Sequence, residues 1–417
     1  MKIKHVNLRI LLLLVIIIGM PVAVYAANVA VEERQTVAVY ATNIAVEERQ
    51  TVAHEPTIIT SSVSTSPSAT ASPSVVTTDS KILNSTQKEV VGYYSIYSTQ
   101  SDWSNLSFGN ISTLALFNIA PLANGNFQED YDSVIPDELI TIAHNNGVKV
   151  IISFGPTIGD AAVIDSILGN TSSRENSLNN ILGIIQRHNF DGVDIDIEAV
   201  NPTNSVTGTS NKILMTNFVR GLRIKLNTVN PGYRIHLAIG SYYQDEDKIF
   251  DLRTLQNYVN YVMMMGYDYR AGSSTAGSNA PMDTYNNGVS IRDDINHYTI
   301  LMDKNKFLLG VPWYGYEWRT QTGGLSSPIL DDGTLNAYQV MKERANKSGR
   351  IWDNIWKTPW YRFQNGTQWY QGHYDDMESL GIKYDFVNSR GLGGIGIWQL
   401  EYGVSELWQL VQNKFGK

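Results

Sequence analysis

The sequence contains no cysteine among its 417 residues. That excludes a disulfide framework, a Cys-ligated zinc site, an iron–sulfur cluster and a thiol nucleophile. Charge is scarce as well: 17% of residues are charged, with 32 Lys+Arg against 40 Asp+Glu and a formal net charge of −8. An acidic balance argues against nucleic acid as a partner, because phosphate binding needs a basic surface. No apolar run beyond the amino terminus is long enough to span a bilayer. Residues 1–88 lack Trp and Phe altogether, and all nine Trp lie beyond residue 100. The chain therefore divides before any motif is read. What it does have is 43% apolar and 10% aromatic residues and 33 glycines. That is enough for one large domain or two medium ones with a real core. Low charge with abundant aromatics, Asn and Gly suits contact with something neutral and polar.

Residues 1–26 have the pattern of a secretory signal. Lys2, Lys4 and Arg9 make a basic start, Ile10 to Ile18 is an unbroken apolar run, and Val24-Tyr25-Ala26 offers small residues at a cleavage site. An uncleaved anchor is the alternative, though the run is short of the ~20 residues a spanning helix prefers. Residues 24–38 (VYAANVAVEERQTVA) recur as 39–53 (VYATNIAVEERQTVA). Two units are too few for a solenoid, so residues 27–53 are read as a tandem duplication in a tolerant region. Residues 54–88 are rich in Ser, Thr and Pro and cannot bury enough apolar surface to offset ordering entropy, so they read as a linker. Export without cysteine points to a bacterial or archaeal secreted protein, with wall association as an option. The ordered part is then 89–417.

In that part, short apolar runs alternate with amphipathic stretches. The strand-like runs are Val90–Tyr94, Thr113–Asn118, Lys149–Phe154, Gly192–Glu198, Arg234–Ile239, Tyr261–Tyr267, Phe307–Pro312 and Gly394–Gln399. Helical patterns at Asp137–Asn146, Ser177–His188, Met215–Asn227 and Met377–Ser389 precede the third, fourth, fifth and eighth. Strand–helix alternation implies a parallel sheet, and eight repeats suit an α/β fold of the (β/α)8 TIM-barrel type. A doubly wound open sheet is the rival, but no Gly-rich phosphate turn follows an early strand. In a barrel the chemistry lies at the carboxyl ends of the strands.

The fourth run reads Asp191-Gly192-Val193-Asp194-Ile195-Asp196-Ile197-Glu198. Period-two alternation puts Asp194, Asp196 and Glu198 on one face and Val193, Ile195 and Ile197 on the other. The aliphatic face suits the helix layer, so the carboxyls must point into the barrel, where charge is costly. A solvated edge strand would explain the same acids, but the flanking runs read as central strands. The segment fails the calcium-loop pattern, and no metal is expected. Carboxyls crowded on one face cannot all ionise cheaply, so a pKa rises and the outermost acid, Glu198, can donate a proton near neutral pH.

D-G-x-D-x-D-x-E on the fourth strand resembles the signature of glycoside hydrolase family 18, the chitinases and their relatives, and the resemblance covers residues 89–417. It implies Glu198 as proton donor, Asp196 as the residue that orients the substrate's acetamido group, and Asp194 as its proton-sharing partner, with Asp191 structural. Met265-Gly266-Tyr267-Asp268 resembles the family's M-x-Y-D, which implies that Tyr267 bonds the N-acetyl group and Asp268 helps hold the sugar. Trp398, ending the eighth run, is where family members place the aromatic floor under the central sugar. Ser153-Phe154-Gly155-Pro156 resembles S-x-G-G, with Pro156 replacing the second Gly and fixing φ there. Tyr94, at the first strand end, and Tyr314, after the seventh, are candidate cleft residues. Residues 317–374, with Trp318, Trp352, Trp356, Trp360 and Trp369, resemble a small α+β insertion forming one cleft wall in some members.

The resemblance implies retaining, substrate-assisted hydrolysis, one of the exceptions to the two-carboxylate scheme. It needs no thiol, metal or cofactor. The implied partner is a polysaccharide containing N-acetylglucosamine: chitin and chito-oligosaccharides first, peptidoglycan or spore-cortex strands as the alternative. A monomer without stable membrane insertion after signal cleavage is expected. The rivals are a sugar-binding lectin on the same fold, which would typically lose the terminal Glu, and a wall-anchored structural protein, for which only the linker speaks.

Overall fold

The computed structural model describes residues 87–416 apart from 99–101, 104–105, 157–159, 199, 271 and 286–287. The expected signal, the duplication and the linker as far as residue 86 lie outside the described residues. Seven strands come first: β1 (Glu89–Ser95), β2 (Thr113–Ile119), β3 (Lys149–Phe154), β4 (Gly192–Asp196), β5 (Arg234–Ile239), β6 (Tyr261–Met264) and β7 (Phe307–Pro312). An insertion contributes β8 (Tyr314–Thr320), β9 (Thr334–Ala337), β10 (Ile351–Asp353), β11 (Thr358–Asn365) and β12 (Gln368–Tyr374), and β13 (Gly394–Trp398) follows. The helices are α1 (Asp137–Asn145), α2 (Ala161–Gly169), α3 (Thr171–Arg187), α4 (Asn211–Asn227), the short α5 (Tyr243–Glu246) and α6 (Leu252–Leu255), α7 (Ile291–Leu301), α8 (Tyr338–Ser348), α9 (Met377–Arg390) and α10 (Ser405–Phe415). Among these, none is long and apolar enough to cross a membrane.

β1 to β7 and β13 close into a parallel barrel in the order β1-β13-β7-β6-β5-β4-β3-β2. This is the expected (β/α)8 barrel. Alternation sorts its side chains into two layers. Val91, Tyr93, Ala115, Ile151, Ala238, Met263 and Leu308 fill the inside. Val193, Ile195 and Ile197 join the larger core between strands and helices. Each such aliphatic side chain contributes about 1.5–3 kcal/mol on burial. α4 shows how the outer ring docks: its buried residues Met215, Phe218, Val219, Leu222 and Leu226 recur at three- and four-residue steps, making one apolar stripe. α9 is bounded by an Asp376–Ser379 capping box and by Gly391 in the left-handed conformation.

The two barrel ends differ in chemistry. At the amino-terminal end Arg234 Nη1 reaches Glu89 Oε1 at 3.1 Å and Thr113 Oγ1 at 3.0 Å, a paired plug. Just outside the barrel, Asp191 is bound by His144 Nε2, Lys149 Nζ and the Val150 amide, each at 2.8 Å. That fits the structural role expected of it.

Two strands end two or more residues earlier than the sequence reading has them. The fourth strand stops at Asp196, with Ile197 and Glu198 beyond the ladder, and the sixth stops at Met264. At the latter the backbones crowd together: a Cβ on Gly266 would lie 2.7 Å from the Gly310 carbonyl oxygen. The Met265 amide still donates to the Ile239 carbonyl at 2.8 Å and the Gly266 amide to the Gly310 carbonyl at 3.2 Å, so pairing to both neighbours fades out just before Tyr267. The insertion is an antiparallel sheet, β10-β11-β12-β8-β9, backed by α8, and its first strand starts at Tyr314.

Candidate active site

β4 delivers its acids as period two requires. Asp194 is fully buried inside the barrel, Asp196 is 6% exposed one step above it, and Glu198 is exposed at the mouth. Asp194 Oδ2 accepts from the Tyr93 hydroxyl at 3.1 Å and from Ser153 Oγ at 3.2 Å. Ser153 is the register neighbour of Asp194 on β3, so pairing alone fixes that contact. Oδ1 of Asp194 and Oδ1 of Asp196 are both buried without a hydrogen-bond partner. Two buried carboxyls with unmatched oxygens call for a proton between them, since an unpaired buried acceptor costs about 1–3 kcal/mol and a charged one more.

The electrostatics follow from this crowding. Burial pushes the Asp194 carboxyl up to about 6, against the opposing bonds from Tyr93 and Ser153. Burial, then the charges of Glu198 and Asp194, lift Asp196 well above the usual carboxylate range. Glu198 meets solvent at one side, but protein walls crowd its carboxyl from the others. That desolvation raises its pKa first, and the Asp268 charge adds to it. An acid poised upward at the mouth of a cleft can hold a proton and then give it.

The loop after β6 supplies the facing wall. Burial and the charges of Asp196 and Glu198 hold the Tyr267 hydroxyl firmly protonated. Asp268 adopts φ 60°, a left-handed conformation that Asp tolerates better than most residues. It is anchored there on both sides: its amide donates to Asn279 Oδ1 at 3.0 Å, and the Tyr314 hydroxyl donates to its Oδ1 at 2.6 Å. Burial raises the Asp268 pKa, and the nearby hydroxyls of Tyr314 and Tyr316 oppose that rise. Met265 is half-buried against the inner cluster. Trp398, at the end of β13, is half-buried. Its ring is braced by Phe117, with centroids 4.8 Å apart and planes at 87°, and by Tyr93 at 5.7 Å.

One expected site residue is misplaced. Tyr94 belongs to the outer core, not to the cleft, because β1 runs from Glu89 and alternation turns Tyr93 inward. Tyr93 takes its place, linking Asp194 to Trp398. Two further residues escaped the sequence reading. Tyr316 sits on the insertion's first strand, one alternation step beyond Tyr314. Glu246, on α5, is half-buried, accepts from the Gly240 amide at 3.0 Å and is pushed up to about 7 by burial, with smaller contributions from nearby acids including Glu198. Its signal was an acid just past the carboxyl end of β5.

The S-F-G-P segment has a steric explanation. A Cβ on Gly155 would lie 1.8 Å from the Asp196 carbonyl oxygen, so Gly is required at 155. Pro156 is buried beside it, and residues 157–159 lie outside the described residues.

Comparisons with known proteins agree with this geometry. The family model described as glycosyl hydrolases family 18 matches residues 89–403. A protein named as a sporulation-specific glycosylase in Bacillus subtilis is 27% identical over 250 residues, 58% of this chain and 54% of that one. Chitinase A1 of Niallia circulans is 26% identical over 292 residues, 61% of this chain and 41% of that one. The match thus spans about half the length of these relatives or less. Among solved structures, the group IV chitinase of Ostrinia furnacalis superposes with a TM-score of 0.68 at 19% identity, covering 79% of this chain and 100% of that one.

Proposed function

Since the chain belongs to the glycosyl hydrolases of family 18, we propose that it hydrolyses β-1,4 linkages to N-acetylglucosamine, with retention and with the substrate's own acetamido group as nucleophile. The observation that carries this reading is the ascending set Asp194, Asp196 and Glu198 on one face, opposed by the protonated Tyr267. In the first step Glu198 gives its proton to the glycosidic oxygen as the acetamido oxygen bonds the anomeric carbon, and the leaving sugar departs as an alcohol. Asp196 and Tyr267 hold the acetamido group and the cyclic cation, with Asp194 taking part in the shared proton. In the second step Glu198 removes a proton from water, which opens the ring at the anomeric carbon and restores both the acetamide and the acid. Trp398 is the surface for the sugar's C–H face. Tyr314 acts through Asp268. Chitin and chito-oligosaccharides are the first substrates to consider. Peptidoglycan or cortex strands are the second, favoured by the likeness to the sporulation glycosylase. Export behind residues 1–26 belongs to the same proposal.

Release of reducing ends from chito-oligosaccharides tests the reading, together with competitive inhibition by a thiazoline analogue of the cyclic intermediate. Binding without release would leave a lectin. Release indifferent to the thiazoline would remove the acetamido group from the mechanism.

A further inference from the structure

Two residues past Asp268, a cavity of about 230 Å3 opens between the β6 loop and the insertion, lined by Arg270, Ser273, Tyr316, Trp318 and Asp332 among others. It shares a wall with the active site, because Tyr316 lines the cavity and packs edge-on against Tyr314, which holds Asp268, with ring centroids 5.8 Å apart. Tyr316 offers aromatic surface backed by Trp318, stacked at 5.5 Å and 26°. That wall suits a sugar ring.

Arg270 does not suit a neutral sugar alone. Its guanidinium is partly buried, and desolvation presses on its charge. It lies over the Trp356 ring at 5.4 Å. It also runs close against Gly277, where a Cβ would lie 2.5 Å from Nε. Yet among the described residues no carboxylate stands within ion-pair distance of it and no acceptor takes its N–H groups. Asp332 lines the cavity from an exposed position and makes no such pair. Arg319, next to Trp318 in sequence, is already paired with Asp331 at 2.8 Å. A permanently charged, preorganised fork with five donors, held beside a cavity without a counter-ion, costs free energy that a planar anion would return.

We propose that Arg270 receives a carboxylate carried by the glycan, so that the cavity beside Asp268 selects an N-acetylated glycan bearing acidic substituents over neutral chitin. This rests on the hydrolase reading above and decides between its two substrates. The carboxylate could be the lactyl group of a muramyl sugar or an acidic residue of an attached peptide. Both present the same planar anion.

The test measures kcat/KM of the full chain on four soluble substrates. They are chitotetraose, an N-acetylglucosaminyl–N-acetylmuramyl tetrasaccharide with free lactyl carboxylates, the same with those carboxyls amidated, and the peptide-bearing form. The free acid should exceed its amide by about tenfold or more, and Arg270→Gln should reduce that ratio to about threefold or less, with Arg270→Lys between. A preference seen only with the peptide-bearing form supports the proposal and assigns the peptide as the source. Equal rates on acid, amide and peptide-bearing forms, or a ratio untouched by Arg270→Gln, overturn it. The wild-type comparison of acid with amide stands even if the variants fail to fold. Cleavage of chitotetraose without any preference sinks only this proposal; no cleavage of any substrate sinks the hydrolase reading itself.

Discussion

The Tyr93 hydroxyl donates across the barrel to Asp194 Oδ2 at 3.1 Å, and the same ring braces Trp398 at 5.7 Å. One residue thus ties the deepest acid to Trp398. Tyr93→Phe keeps the ring and removes the donor. Because that bond lowers the Asp194 pKa, the variant should titrate Asp194 at higher pH. Stability should fall by about 1–2 kcal/mol and kcat by roughly tenfold, while KM changes little. Chemical denaturation and a pH–rate profile check both halves. A variant with wild-type kcat and an unmoved profile would show the bond to be idle.

The buried acids make the fold sensitive to alkali in a defined window. Asp194 has a folded pKa raised from 3.8 to about 6. The folded state therefore binds its proton more tightly than the unfolded chain does. Stability from this group is full below about pH 4 and declines as pH rises to about 6, by a few kcal/mol at most. Asp194→Asn removes that decline. Thermal melts should show the variant gaining on the wild type between pH 4 and pH 7. A gap that stays constant with pH would contradict the burial assigned to this carboxyl.

Gly155 is a steric requirement rather than a flexible hinge. Its absent Cβ leaves room for the Asp196 carbonyl, which a methyl group would meet at 1.8 Å. Gly155→Ala should destabilise by about 2 kcal/mol or more and lower kcat by displacing Asp196. Gly147→Ala serves as the contrast, because no atom lies near that position. The penalty there should come only from its φ of 75°, about 1 kcal/mol. Urea midpoints of the two variants decide; equal losses would refute the close contact.

Trp398 should act on binding more than on chemistry. Trp398→Ala removes a ring face and is expected to raise KM about tenfold on chitotetraose, with Trp398→Phe recovering part of the loss. Isothermal titration on an inactive background separates affinity from turnover. An unchanged affinity would place the sugar elsewhere.

These residues also show where the sequence was legible. The acids of β4 could be read because polar and aliphatic residues alternate strictly there, and only one face can enter a barrel. β1 carries Val90, Val91, Tyr93 and Tyr94, apolar on both faces, so no pattern says which tyrosine points inward. The register from Glu89 decides it. Tyr267 and Asp268 are legible by motif, but the close packing that seats them depends on Gly266 meeting Gly310, a contact between distant segments. Arg270 has no sequence signal of its own: its isolation exists only once the insertion folds beside it.

In the proposed mechanism Glu198 donates and then removes the proton in an acetamido-assisted cleavage. Glu198→Gln keeps the shape and the hydrogen-bonding reach of the side chain and removes the acid. Turnover of chitotetraose should drop by about a thousandfold or more while the Kd for the same oligosaccharide, measured on the same preparation, stays within about threefold of the wild-type KM. A variant that retains most of its turnover would contradict the account.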